Sequence, residues 1–258
     1  MRVLALHGFL GDRSDWSDFT HDARKVLPDL DLDAVDLPGH GNTAAPVPGD
    51  FAGWVDWVRA RLDHGAGPTH LIGYSLGGRL ALAAALAEVG TGRVSSLTLL
   101  AASPGLSDSI ERATRLSADR VRAEALRQDG LEEFLRSWYQ MPLFAPAVEL
   151  VGLDLLVTRR ARGQAASLAA ALCAASAGAM PDLRPDLPRL DIPVLTIAGE
   201  RDPKFVVLER DIAATVPRGR FAALAGVGHS LLIEAPERCA DLWCAFVTEF
   251  TSPEGASP

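Results

Sequence analysis

A chain of 258 residues, 48% hydrophobic and 22% charged, is long enough for one large domain with an insertion and has an ordinary globular composition. A net charge of −8 argues against nucleic acid as a general partner, though not against a small anion in a locally cationic pocket. No apolar run reaches the ~20 residues of a membrane span, residues 1–6 offer no secretory signal before His7-Gly8, and Cys173, Cys239 and Cys244 are too few for a disulfide framework, so a cytoplasmic protein with reduced thiols is expected.

Residues 3–6 read as a short buried strand, ended by His7-Gly8-Phe9-Leu10-Gly11. Ser14-Asp15 then look able to cap a helix carrying Trp16, Phe19 and Val26. A second strand, 32–36, stops at Leu37-Pro38-Gly39-His40-Gly41, and a helix over 51–64 places Trp54, Val55, Val58 and Leu62 on one face. The apolar run 69–72 leads into Gly73-Tyr74-Ser75-Leu76-Gly77, followed by an alanine-rich helix to about residue 89 and a strand over 94–100. Nearly all-apolar strands alternating with helices predict an α/β fold whose mostly parallel sheet is covered on both faces.

From residue 103 the alternation stops. Helical patterns occupy 107–129, 131–139, 147–162 and 164–177 before a strand at 192–198 restores the rhythm. The expected organisation is therefore a discontinuous core, 1–103 and 186–250, with a helical lid over 104–185 and a frayed tail over 251–258. The core resumes with Gly199-Glu200-Arg201-Asp202, a helix over 203–216, a strand near 220–224, Gly228-His229 and a closing helix over 236–250.

Strand, sharp turn and helix around Gly-x-Ser-x-Gly make a nucleophile elbow, with glycines where a Cβ would strike the neighbouring strand or helix. A serine hydroxyl needs a base to take its proton, and that base needs an orienting carboxylate. His229 follows a strand and a Gly-x-Gly turn, and Asp202 follows the strand 192–198, with Glu200 as its rival. Asp191 precedes that strand and sits at the wrong end. His21, His64 and His70 read as surface or strand-end residues, and His40 as either structural or functional. The His7-Gly8-Phe9 turn belongs at the first strand's carboxyl end, where the N–H groups of Phe9 and Leu76 converge as an oxyanion hole and His7 counts among the substrate-facing residues. Arg79 lies one helical turn beyond Ser75 on the same face. No His, Cys and carboxylate cluster has metal-ligand spacing, and no cofactor motif is present.

These strand-end motifs resemble the α/β-hydrolase superfamily over essentially the whole chain. A narrower likeness rests on Leu6-His-Gly-Phe-Leu-Gly11, Asp36-Leu-Pro-Gly-His-Gly41, Gly73-Tyr-Ser-Leu-Gly-Gly-Arg79, Ser103-Pro-Gly-Leu106, Trp138-Tyr139 with Pro142-Leu-Phe144, and Gly199-Glu-Arg-Asp-Pro-Lys-Phe205. In these pieces the chain resembles the 2-succinyl-6-hydroxy-2,4-cyclohexadiene-1-carboxylate synthases of menaquinone (vitamin K2) biosynthesis. The resemblance implies a lyase without metal or organic cofactor, in which a serine triad abstracts a proton and pyruvate leaves by 2,5-elimination. It also implies a small substrate with several carboxylates, held by Arg79 together with Arg115 and Arg160 from the lid, a pocket lined by Tyr74 and Trp138, and Lys204 close to Asp202. Arg112, Arg159 and Arg162 are neighbours able to take the lid arginines' places. A carboxylesterase or a hydrolase of C–C bonds would use the same triad, and a ligand receptor would not need it intact.

Overall fold

The first strand shows how the sheet is buried. In β1 (Arg2–Leu6), Val3 and Ala5 join the apolar cluster on one face and Leu4 and Leu6 the cluster on the other, all four with no exposed surface. Alternate side chains of a pleated strand point to opposite faces, so a strand that is apolar throughout must be covered twice. The computed structural model describes residues 1–62 and 67–251. Strands β1, β2 (Asp31–Val35), β3 (Thr69–Tyr74), β4 (Val94–Leu100), β5 (Val194–Gly199) and β6 (Gly219–Leu224) form one parallel sheet in the order β2-β1-β3-β4-β5-β6.

Helices follow in chain order: α1 (Ser17–Val26), α2 (Phe51–Leu62), α3 (Leu76–Ala87), α4 (Ser109–Asp129), α5 (Leu131–Tyr139), α6 (Ala145–Val151), α7 (Leu153–Arg160), α8 (Ala165–Ala174), α9 (Pro203–Thr215), α10 (Leu231–Glu234) and α11 (Pro236–Thr251). Trp54 and Val58 of α2, the alanine-rich α3 and Ile212 of α9 cover one face, and Phe19 of α1 with Trp243, Phe246 and Val247 of α11 cover the other. No helix of the described residues is long and apolar enough to cross a membrane.

Strand order reverses direction between β1 and β3, where ligands of open α/β sheets bind beyond the carboxyl ends. The turn after β1 and the turn after β3 are therefore neighbours. Helices α4–α8 lie between β4 and β5, over that same edge, around their own apolar cluster of Leu126, Phe134, Leu135, Phe144, Leu156 and Leu172. Leu10, from the turn after β1, packs into this cluster. A hydrogen bond from Leu183 N–H to Pro104 O (2.8 Å) ties the two ends of the helical insertion together.

Three local features differ from the sequence expectation. The cap before α1 is Asp12, whose carboxylate accepts from Ser14 N–H (2.8 Å) and opens a 3-10 turn over Arg13–Trp16; Val26 stands in solvent. The expected helix 147–162 is broken into α6 and α7 at Gly152, whose φ of +88° an α-helix cannot accommodate. Strand β5 begins at Val194, after Pro193. The expected tail, from 252 onward, and His64 lie outside the described residues.

Candidate active site

Ser75 sits between β3 and α3 with φ +50°, a conformation that costs an ordinary residue ~1–3 kcal/mol. The flanking glycines make the turn fit. A Cβ on Gly77 would meet the carbonyls of Leu6 and His7, and one on Gly73 would meet the Gly77 carbonyl. Ser75 N–H donates to Leu100 O (2.8 Å) and Gly77 N–H to His7 O (3.1 Å), so the elbow is fastened to both neighbouring strands' ends.

The Ser75 hydroxyl lies 3.2 Å from His229 Nε2, and His229 Nδ1–H donates to Asp202 Oδ2 at 2.7 Å. Imidazole and carboxylate are 3% and 4% exposed, so both are shielded from competing water. Asp202 also caps α9 through Oδ1, which accepts from Phe205 N–H (3.4 Å). Its rival Glu200 is exposed, as is Asp191. The rings of Phe205, Tyr74 and Phe144 surround the imidazole at 4.6, 5.7 and 5.9 Å between centroids. Glu234 brackets the histidine's backbone, one carboxylate oxygen accepting from Gly228 N–H (2.5 Å) and the other from Ser230 N–H (3.0 Å).

Above Ser75 lies a cavity of about 220 Å³ between the sheet edge and the insertion. Phe9, Ser75, Leu76, His229, Arg79, Arg115, Trp138 and Lys204 all line it. Among the described residues, the N–H groups of Phe9 and Leu76 have no acceptor in the protein, and Leu76 is the first residue of α3, where a helix leaves its N–H unpaired. Trp138 meets Phe9 edge-on at 5.3 Å and stacks on Phe134 at 5.6 Å.

Arg79 is enclosed. Its guanidinium donates to Ala175 O (2.7 Å) and, among the described residues, has no carboxylate partner. Burial, reinforced by the charge of Arg115, pulls its pKa down to about 9. A partly buried cation with no carboxylate in contact gains when an anion enters the cavity.

Three expected substrate contacts lie elsewhere. His7 is fully buried beneath the turn, where Nε2 accepts from Leu37 N–H (3.0 Å) and Nδ1–H donates to Gly8 O (2.7 Å); both ring nitrogens are occupied, and burial lowers its pKa to about 4. Tyr74 packs under His229 and against Gly8. Arg160 is not among the residues that line the cavity and forms an ion pair with Asp15, both side chains being about nine-tenths buried. Of its neighbours, Arg162 pairs with Asp12 (3.3 Å). His21 is exposed, His70 is buried on β3 against Ser96 (2.7 Å), and His40 is buried with Nδ1–H donating to Pro38 O (3.0 Å).

Among the polar cavity residues absent from the sequence expectation are Arg122, Asp119 and Ser176. Arg115, Asp119 and Arg122 have the i, i+4 and i, i+3 spacing of helical ion pairs, a signal available in the sequence. That Asp119 would be the buried member was not visible in that spacing.

Residues 3–242 match the model of the alpha/beta hydrolase family. The 2-succinyl-6-hydroxy-2,4-cyclohexadiene-1-carboxylate synthase of Klebsiella pneumoniae is 39% identical over 213 residues, covering 82% of each chain. The synthase of the same name from Salmonella schwarzengrund is 35% identical over 243 residues, or 93% of this chain and 90% of that one. The structure of MenH from S. aureus superposes with a TM-score of 0.88 at 29% identity, covering 97% of this chain and 95% of that one. The chain belongs to the α/β hydrolase family and, within it, to the family of the 2-succinyl-6-hydroxy-2,4-cyclohexadiene-1-carboxylate synthases.

Proposed function

We propose that this protein is a carbon–oxygen lyase that eliminates pyruvate from 2-succinyl-5-enolpyruvyl-6-hydroxy-3-cyclohexene-1-carboxylate to give 2-succinyl-6-hydroxy-2,4-cyclohexadiene-1-carboxylate, a step of menaquinone synthesis. The observation that carries the reading is the charge of the cavity. Arg79, Arg115, Arg122 and Lys204 face a single lining carboxylate, Asp119, leaving an excess of three positive charges beside Ser75. The substrate carries three carboxylates, on the ring, the succinyl arm and the enolpyruvyl group.

In this mechanism Ser75 acts as a base and not as a nucleophile. His229 takes the hydroxyl proton as Ser75 Oγ removes the ring proton next to the succinyl ketone. The electron pair moves through the ring double bond and breaks the bond to the enolpyruvyl oxygen, leaving the cyclohexadiene. Charge that develops on the ketone oxygen is met by the N–H groups of Phe9 and Leu76, each such donor being worth ~10²–10³ in rate. Asp202 holds the imidazolium, which returns its proton to the departing enolpyruvate, and that enol becomes pyruvate. Helices α4–α8 serve as the lid, contributing Arg115, Arg122 and Trp138 and excluding water. An anionic small molecule as the partner, which the cationic cavity supports, and the cytoplasm as the compartment belong to this reading.

The triad alone would serve ester hydrolysis equally well. What favours elimination is a partly buried arginine four residues beyond the serine that lines the cavity without a carboxylate partner among the described residues, which an uncharged ester has no use for. The test is pyruvate release, coupled to NADH oxidation, when purified protein meets the precursor. Turnover above the spontaneous rate and a kcat/KM at least about tenfold lower in Arg79→Ala are expected; rapid p-nitrophenyl ester cleavage without pyruvate would replace this reading with the hydrolase one.

A further inference from the structure

Asp119 is a carboxylate with no exposed side-chain surface, set on α4 in the wall of a cavity whose other charged lining residues, Arg79, Arg115, Arg122 and Lys204, are cations. An acid there works against an anionic ligand by charge alone. Its hydrogen bonds give it another use. Oδ2 accepts from Arg115 Nε–H (2.8 Å) and from Ser176 Oγ–H (2.7 Å), and Oδ1 accepts from Arg122 Nη1–H (3.0 Å). Ser176 is itself fastened, accepting from Gly178 N–H (3.0 Å) just beyond α8. One buried carboxylate thus spans two turns of α4 and the segment after α8, and orients two guanidinium groups that line the same cavity.

We infer that Asp119 is the positioning residue of the carboxylate-binding site: it fixes Arg115 and Arg122 so that their remaining N–H donors are presented together to a dicarboxylate. The inference rests on the proposed reading of the cavity as a site for a multiply charged anion. Long arginine side chains that are 40% and 38% exposed would otherwise sample many rotamers, and a planar fork binds a carboxylate well only when its orientation is set in advance. Arg115 spends only Nε–H on Asp119, so both of its terminal nitrogens stay available for bidentate contact.

The two possible roles of Asp119 make opposite predictions. If it acts only as a counter-charge, removing it raises the positive potential and tightens anion binding. If it positions the arginines, removing it weakens binding although the cavity becomes more positive.

The experiment measures the Kd of phthalate, an unreactive ring dicarboxylate, by titration calorimetry, and KM and kcat for pyruvate release. The proteins are the wild type, Asp119→Asn, Asp119→Ala, Ser176→Ala, the Arg115→Ala/Arg122→Ala pair, and that pair combined with Asp119→Ala. Phthalate Kd and KM should rise about tenfold in both Asp119 variants with kcat within about threefold, the pattern of lost uniform binding. Ser176→Ala should weaken binding less, about two- to threefold, because it removes one of several bonds to the carboxylate. In the protein lacking both arginines, Asp119→Ala should change Kd by less than about twofold, since residues acting as one unit are non-additive. A merely structural role would lower the melting temperature and persist without the arginines. Should Asp119→Ala not fold, the near-isosteric Asp119→Asn carries the same reading. Unchanged or tighter binding in Asp119→Asn, an undiminished loss in the arginine-free background, or no phthalate binding by the wild type overturns the inference. Asp119-dependent phthalate binding without pyruvate release would instead overturn the proposed reaction and leave Asp119's role standing.

Discussion

The sheet edge and the helical insertion meet at one cavity but hold their residues by different means. At the edge, Ser75, Asp202 and His229 are placed by backbone: a forced φ at Ser75, the first turn of α9, and a loop clamped by Glu234. In the insertion, Arg115 and Arg122 are placed by side chains gripping a buried carboxylate, and Arg160 is committed to Asp15. Backbone placement gives the sub-ångström alignment that proton transfer requires. Ion-pair placement gives a charged surface whose geometry depends on which partner each arginine finds. Changes at the edge should therefore fall on kcat, and changes in the cationic wall on KM.

The largest expected effect is Ser75→Ala, with kcat reduced at least ~10³-fold and anion binding kept, because the residue removed meets only the reacting proton. Single-turnover kinetics with a phthalate titration would read both, and loss of binding as large as the loss of rate would break the contrast. Arg79→Ala should come next, raising KM by ~10- to 100-fold, as expected when a charged contact worth ~1.4–2.7 kcal/mol is lost. A smaller kcat loss than in Ser75→Ala is required of it. Steady-state assays at saturating precursor separate the two quantities.

Stability sharpens the same contrast. Asp15→Asn strands the buried Arg160 guanidinium and should destabilise the fold by roughly 3–5 kcal/mol, the usual cost of removing one partner from a buried pair. Arg136→Ala, whose partners Glu132 and Asp154 stand in solvent, should leave the denaturation midpoint unchanged. Equal effects would mean that the Arg160–Asp15 pair is as dispensable as a surface one.

A further effect concerns pH. Burial lowers the pKa of His7 and His70 to about 4 and of His40 to about 3, from 6.5. These groups are neutral in the fold and take up protons in the unfolded chain below pH 6.5. Stability is therefore complete above that pH and is lost as pH falls from 6.5 toward 4, by at most ~1.4 kcal/mol per pH unit per histidine. Melting temperatures from pH 7.5 to 4.5 test this, and a flat profile would contradict the neutral, buried assignment. His70→Gln, remote from the cavity, should make the profile shallower.

Much of this was legible in the sequence because it followed from local rules. Gly73 and Gly77 announce a turn that admits no Cβ, the all-apolar strands announce a doubly covered parallel sheet, and Asp202 before Pro203 announces a helix start at a strand end. His7 was misplaced because the motif that locates the turn does not say which way its imidazole points; Leu37 N–H and Gly8 O decide that from thirty residues away and from the next residue. Arg160 was misplaced for a similar reason. Its partner Asp15 precedes α1, 145 positions earlier, and no spacing rule connects the two. The break at Gly152 was hidden because the apolar pattern runs on through it, while the backbone does not.

The most direct test of the account is pyruvate release by the wild type and Arg79→Ala, run beside p-nitrophenyl acetate cleavage by the same preparations. Pyruvate should form from the enolpyruvyl precursor well above the spontaneous rate and be reduced by Arg79→Ala far more than any ester cleavage is. Ester cleavage that exceeds pyruvate release and is indifferent to Arg79 would contradict it.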